Sequence, residues 1–361
     1  MGHNLRLGKR EEAGLPRENS KQQDTHMEII KNYGDDLNNI IAIIERAKSR
    51  AIRAVNAEMI DMYWQIGKYI SEKTNNGGWG KSVVQDFSEY LKKEYPSARG
   101  FSAQNIWRMK QFYETYRNNE KLSPLVREIA WSNNLLIMSG CKTDEAKEFY
   151  IRLCIANGYS KRELERQIDS MIFERTVLST VKNKDLIEQH PAVGALRDYY
   201  VLEFLDIPED YKEKDLRKSI ITNLKQFILE FGTDFSFVGE EYRVQVGNTD
   251  FFIDLLFYNR ALSCLVAVEL KVGRFKPEHL GQLNFYLEAL NRDVRKPGEN
   301  PSVGLILCAS KDDTVVEYAL SSSLSPTMVA DYTLRLPDKK LLEEKLREIS
   351  ILADSSLETE E

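Results

Sequence analysis

Residues Phe251 to Gly273 read FFIDLLFYNRALSCLVAVELKVG, two apolar runs of strand length joined by a short polar connection. Each run carries a carboxylate where an apolar side chain is expected, and the second closes on Glu269-Leu270-Lys271. Side chains alternate across a strand, so residues two apart share a face. The second run therefore places Ala267, Glu269 and Lys271 on one side and Val266, Val268 and Leu270 on the other. In the first run Phe252, Asp254, Leu256 and Tyr258 share a side, opposed by Phe251, Ile253, Leu255 and Phe257. The connection NRALS suits a hairpin. In matched register, that hairpin brings Asp254 and Glu269 together, with Lys271 one pleat further along.

Around this hairpin the pattern predicts a helix over Asp215–Phe231 and a strand over Phe235–Val246 before it. A helix over Pro277–Asn291 and a strand over Ser302–Ala309 follow. The order is α-β-β-β-α-β. Upstream the text is helical. Leu37, Ile40, Ile41, Ile44, Ala47, Ala51 and Val55 open a stripe at three- and four-residue spacing that predicts one long amphipathic helix from about Asp35 to Lys73. Further helices are expected over Lys81–Glu94, from a Ser102 cap to about Arg117, and from Ser160, where S-K-R-E has capping-box spacing, to about Arg175. The breaker-containing stretches HPAVG and DIPEDYKEKD place a domain boundary between Thr176 and Glu213. The expected organisation is a polar tail over residues 1–26, a helical domain over 27–185, an α+β domain over 186–350 and an acidic tail over 351–361.

Two carboxylates on one face repel, and burying them is costly unless a cation neutralises them. A hard divalent ion, Mg²⁺ or Mn²⁺, resolves the conflict by taking oxygen ligands from Asp254 and Glu269, with the main-chain carbonyl of Leu270 as a further donor. Such an ion activates water for attack on phosphorus, and Lys271 beside it would polarise that water or stabilise the transition state. The competing reading is a Glu-x-Lys on a solvated strand face; the mid-strand Asp254 and the α-β-β-β-α-β order weigh against it.

Asp254 followed by Glu269-Leu270-Lys271 resembles the PD-(D/E)XK nuclease superfamily, whose core has this same element order. Restriction endonucleases, Holliday-junction resolvases and RecB-type nucleases belong to it, and the resemblance implies DNA cleavage with Mg²⁺. Gln282 and Tyr286, in GQLNFYL, match the Q-x-x-x-Y pattern of the RecB-like branch and share a helix face. FILEFG, FFIDLLFYNR, VELKVGRFKPEHLGQLNFYLEAL and the helical first half together resemble the YhcG-like nuclease family over most of the chain after about residue 35. The superfamily often adds an acidic ligand from the first core helix. Glu213 and Glu230 are the candidates, with Glu230 favoured, and Glu241 is a further one; Arg217 stands where a glutamate is expected. His279 is weighed as a proton carrier against a plain capping residue.

In the helical half, KKEYPSARGFSAQNIWRMKQFYETYRNN interleaves basic and aromatic residues. One reading is a helix-turn-helix presenting Arg99, Ser102, Gln104, Asn105, Arg108 and Lys110 to DNA. The other is a helical bundle with solvated basic faces and a core stripe of Ile106, Met109 and Tyr113.

Over the whole chain, 361 residues with a net charge of −6 argue against a protein coated in basic surface, although the first half alone is modestly basic by count. Four widely spaced cysteines give no zinc motif and are expected to be buried free thiols. No apolar run reaches membrane-span length and the start lacks a signal core, so the expected location is cytoplasmic, with no membrane partner. The expected partner is DNA. A homodimer, a restriction-modification or recombination partner, a non-cleaving DNA-binding or assembly subunit and an RNA-directed nuclease remain open.

Overall fold

The computed structural model describes residues 18–75, 80–97, 99–321, 323 and 325–357, with side chains described only between 36 and 348. The chain divides into two compact units, residues 1–131 and 132–361. This division falls well before the boundary expected near residue 185, because the helices after Trp131 bury their apolar faces within the second unit.

In the first unit α1 (Glu18–Asn75) is one continuous helix. It reaches into the segment expected to be a polar tail, so residues 18–26 are helical, whereas 1–17 lie outside the described residues. Extending a nucleated helix fixes one residue per added hydrogen bond, and a polar sequence tolerates that. α2 (Lys81–Glu94), α3 (Ala103–Tyr116) and α4 (Leu122–Leu125) follow. Ser102 caps α3 as expected, accepting from the Asn105 amide. α1 and α3 cross at Gly67, where any Cβ would strike the main-chain carbonyl of Met109.

The second unit begins with α5 (Trp131–Gly140), α6 (Asp144–Asn157), α7 (Lys161–Asp169), α8 (Ile172–Lys182) and α9 (Lys184–Gln189). The capping box of Ser160 and Glu163 starts α7. The helix expected to run to Arg175 instead breaks at Met171, which takes a left-handed conformation (φ 54°). Next come β1 (Tyr199–Val201), α10 (Glu213–Thr222), α11 (Leu224–Phe231), β2 (Phe235–Val246), β3 (Thr249–Asn259), β4 (Cys264–Arg274) and α12 (Glu278–Ala289). β5 (Val303–Ser310), α13 (Asp313–Ser321), β6 (Thr327–Thr333) and α14 (Lys339–Leu357) complete the unit. α14 covers residues 351–357 of the expected acidic tail.

The sheet order is β1-β6-β5-β4-β3-β2; β2, β3 and β4 form an antiparallel meander, and β4, β5, β6 and β1 run parallel. The expected α-β-β-β-α-β core is present as α10/α11 through β5, widened by β6 and β1. Leu216, Ile220, Phe227 and Phe231 of α10 and α11 pack with Val266, Val268 and Leu270 on one face. Leu280, Leu283, Tyr286 and Leu287 of α12 pack with Leu265 and Ala267 on the other. The alternation expected in β4 therefore holds. In β3 it does not: Ile253 packs with Leu256 on the α12 face, while Leu255 and Phe257 lie on the opposite one. The face changes at Asp254, and on the neighbouring strand Glu241 takes a positive φ of 43°.

All four cysteines are buried and free. Among the described residues no helix is long and apolar enough to cross a membrane.

Candidate active site

β3 and β4 pair in register from Asn259↔Cys264 to Leu255↔Val268, and the paired ladder ends one step short of Asp254 and Glu269. There the ladder changes character: the Leu270 amide donates to Asp254 Oδ2 at 3.0 Å. The hairpin that fixes this register is closed by the Leu262 amide donating to Asn259 Oδ1 and by Ser263 at φ 48°.

Glu269 is 2% exposed. Its Oε1 accepts from Lys271 Nζ at 2.9 Å, whereas Oε2 is buried with no hydrogen-bond partner. Burial first, and then the charge of Asp254, push its carboxyl up to about 7 against the pull of Lys271. Burial alone would lower Lys271, but the hydrogen bond and charge of Glu269, with Glu213 and Asp254, hold the ammonium above its ordinary value. Glu213 Oε1 stands 3.8 Å from Lys271 Nζ. Of the two acidic residues weighed on the first core helix, Glu213 is the one at this site.

Glu230 requires a correction. It is fully buried, 2.6 Å from Arg175 and 3.3 Å from Arg166, and it accepts from the Val201 amide at 2.9 Å. Arg197 donates to its main-chain carbonyl. These bonds satisfy both carboxylate oxygens, so Glu230 ties α7, α8 and β1 together instead of serving the site. Spacing could not reveal this, because its partners lie more than twenty residues away in the chain.

Arg217, on α10, donates to Asp254 Oδ1 at 2.9 Å and to Glu241 at 2.6 Å, with Glu240 at 3.9 Å. The guanidinium thus satisfies carboxylates on two strands, a placement that the departure at this position hinted at without defining. Gln282 donates to Tyr286 Oη at 3.0 Å. Burial raises the Tyr286 phenol against the lowering effect of the Gln282 hydrogen bond, and the charges of Glu269 and Asp254 add to the rise. His279 is lowered by burial and then by Lys271, and its Nδ1 accepts from the Lys276 amide, the bond of a capping residue.

Among the described residues no three His, Cys, Asp or Glu side chains converge on a point that could hold a metal. What converges is two carboxylates, and the donor set suits a hard cation that takes one or two protein carboxylates and keeps its waters. The orphaned Glu269 Oε2 fits this: a buried carboxylate oxygen without a donor needs a positive partner.

The residues weighed for DNA contact divide. Arg99, Ser102, Gln104 and Arg108 are exposed. Asn105 is spent internally, donating to the Gly100 carbonyl and accepting from Trp131 Nε1. Lys110 is held by Glu114 at 2.7 Å. Ile106, Met109, Phe112 and Tyr116 are buried, so the core stripe runs through Phe112 and Tyr116 while Tyr113 is half-buried. The α2–α3 connection, residues 95–102, is longer than the three or four residues of a helix-turn-helix turn.

Comparison with known proteins matches two families, whose junction falls between residues 175 and 193 and not at the compact-unit division after Trp131. Residues 193–347 match the family described as YhcG PDDEXK nuclease domain, and residues 39–175 match the DUF1016 N-terminal domain. A protein of Escherichia coli (strain K12) named "Putative nuclease YhcG" is 33% identical over 345 residues, covering 85% of this chain and 92% of that one. Two solved structures also align. A repair endonuclease from Pyrococcus abyssi shows 16% identity and a TM-score of 0.24, over 36% of this chain and 50% of that one. EndoMS in apo form shows 20% identity and a TM-score of 0.24, over 37% and 49%. The fold and the family matches define the class, a PDDEXK nuclease domain preceded by a helical region. Within that class, the chain belongs to the YhcG family.

Proposed function

We propose that the protein is a divalent-metal-dependent nuclease that hydrolyses phosphodiester bonds of DNA. The observation that carries this reading is the buried Glu269 carboxyl, one oxygen unpartnered, with Lys271 against it and Asp254 on the neighbouring strand accepting from the adjacent Leu270 amide. A purely structural ion pair gives no reason to set two carboxylates together. Asp254, Glu269 and the Leu270 carbonyl would hold Mg²⁺ or Mn²⁺. When bound, the ion supplies Lewis-acid chemistry, lowering the pKa of a coordinated water and shielding phosphate charge.

The chain's own groups have separable tasks. Lys271 carries a charged ammonium at neutral pH and offers hydrogen bonds to the attacking water or the developing phosphate charge. Gln282 and Tyr286 present an amide and a phenol from α12 to position a phosphate oxygen. Arg217 places a guanidinium, a bidentate phosphate donor, beside Asp254. Glu213 completes the acidic surround of Lys271. Of the residues weighed for DNA contact in the helical unit, Arg99 and Arg108 are the exposed cations, suited to the nucleic-acid backbone.

The test is incubation of purified protein with plasmid, linear, single-stranded and branched DNA, and with RNA, in Mg²⁺ or Mn²⁺ and in chelator. Metal-dependent DNA cleavage that Lys271→Ala reduces by about a hundredfold or more is the expected result. Equal cleavage by Lys271→Ala refutes the assigned role, RNA-only cleavage changes the substrate, and binding without cleavage of any substrate replaces the enzyme with a binding subunit.

A further inference from the structure

α10 carries Glu213 and Arg217 four residues apart, and residues at that spacing share a helix face. Each finds its complement on the sheet: Glu213 stands 3.8 Å from Lys271, and Arg217 donates to Asp254 Oδ1 at 2.9 Å. Leu216 and Ile220, buried in the core, anchor the helix beside them. The Arg217 side chain is 12% exposed and also donates to Glu241 at 2.6 Å, with Glu240 at 3.9 Å. Glu241 and Asp254 stand between the paired positions Glu240↔Leu255 and Tyr242↔Ile253, and Glu241 holds its left-handed φ of 43° there. A non-glycine residue keeps such a conformation where its surroundings over-determine it. Here it accompanies a carboxylate bonded to Arg217, so the guanidinium lies between acidic groups of β2 and β3.

We propose that Arg217 stands in place of a second metal ion, so that the site takes one divalent ion per chain. This inference rests on the metal site proposed above and deepens it by fixing the count. Paired ions in two-metal phosphodiester sites lie about 3.5–4 Å apart, and each needs its own oxygen ligands. Toward β4 the acceptors are available: Glu269 Oε2 is buried with no partner, and each Asp254 oxygen, having one protein donor, keeps a second lone pair. Toward β2 the acceptors are taken, since Asp254 Oδ1, Glu241 and Glu240 already surround a cation. Moving Arg217 aside would leave a largely buried charge without its partners. Leaving it there would set a divalent ion against a like charge at close range. Among the described residues no three His, Cys, Asp or Glu side chains converge, which agrees with a single ion held by two carboxylates and water. Arg217 is therefore a positioning residue that acts through Asp254: it orients the carboxylate and supplies a fixed positive charge where a second ion would otherwise be required.

The experiment counts Mn²⁺ on the full chain by electron paramagnetic resonance of the free ion, with far-UV circular dichroism to confirm the fold of each variant. Wild type and Arg217→Lys, which keeps the charge, are expected to bind one ion per chain. Arg217→Gln removes a like charge beside Asp254 and should bind that ion at least about tenfold more tightly, whereas a merely structural arginine would leave binding unchanged or weaker. Arg217→Glu sets a third carboxylate against Asp254 and Glu241 and should take two ions, with the spin coupling expected of a pair about 4 Å apart. A wild type that binds two ions overturns the proposal and leaves the metal site standing; one that binds none removes both. Arg217→Gln binding no more tightly than wild type, or a folded Arg217→Glu that still binds one ion, also overturns it. Should Arg217→Glu not fold, the wild-type count and the Arg217→Gln affinity decide the matter.

Discussion

Replacing Glu230 by glutamine removes a negative charge from a site that water does not reach. Its carboxylate contacts Arg175 and Arg166 and accepts the Val201 amide, and Arg175 itself is buried. Removing one partner of a buried ion pair costs about 3–5 kcal/mol, because the remaining charge is left uncompensated. Glutamine keeps one acceptor oxygen for the amide or for Arg175, which favours the lower end, about 3 kcal/mol. In a unit of this size each kcal/mol moves the melting temperature by roughly 2–4 °C, so calorimetry should register a drop of about 6–12 °C. The pH dependence adds a signature. Burial alone would raise Glu230, but the charges of Arg175, Arg197 and Arg166 outweigh it and hold the carboxyl below its ordinary value. A depressed folded value stabilises the protein above the unfolded pKa, about 4.3, and that stability is lost as pH falls through the folded value. The gap between wild type and variant should therefore be full at neutral pH and narrow below about pH 4. Divalent-metal binding, measured in parallel, should be unchanged. A melting temperature within about 2 °C of wild type, accompanied by lost metal binding, would refute this account and return Glu230 to the active site.

Three further outcomes are expected. Glu269→Gln should abolish calorimetrically detected Mg²⁺ or Mn²⁺ binding without lowering the metal-free melting temperature, because it removes a buried charge that Asp254 already opposes; retained binding would exclude Glu269 as a ligand. Gly67→Ala should cost roughly 2 kcal/mol or more of stability in the helical unit, since the new methyl meets the Met109 carbonyl at the α1–α3 crossing, and a neutral result in chemical denaturation would show that the helices can separate. If α3 and its leading loop contact DNA, Arg99→Glu with Arg108→Glu should weaken binding across sequences and make the salt slope shallower by about two counterions in a filter or fluorescence titration, whereas an unchanged slope would remove this surface from the interface.

The particular residues show where sequence reading carries. Alternation along AVELKV set Glu269 and Lys271 on one face, a consequence of local strand geometry that holds in the structure, and the short NRALS connection gives the antiparallel register that runs as far as Leu255 and Val268. The caps at Ser102 and Ser160 were equally readable, because a cap is a contact between residues three apart. In β3, period-two reading failed at Ile253, where the strand switches face beside Asp254 and Glu241.

What the sequence determined by itself was the α-β-β-β-α-β order of the core and the pairing of Glu269 with Lys271, because backbone periodicity and short connections act over a few residues. Only the tertiary structure decided that Glu213 and Arg217 stand at the site and Glu230 does not, and that the compact units divide at Trp131. Those outcomes depend on which distant side chains meet in the packed core, where an ion pair forms by proximity in space and leaves no period or spacing along the chain.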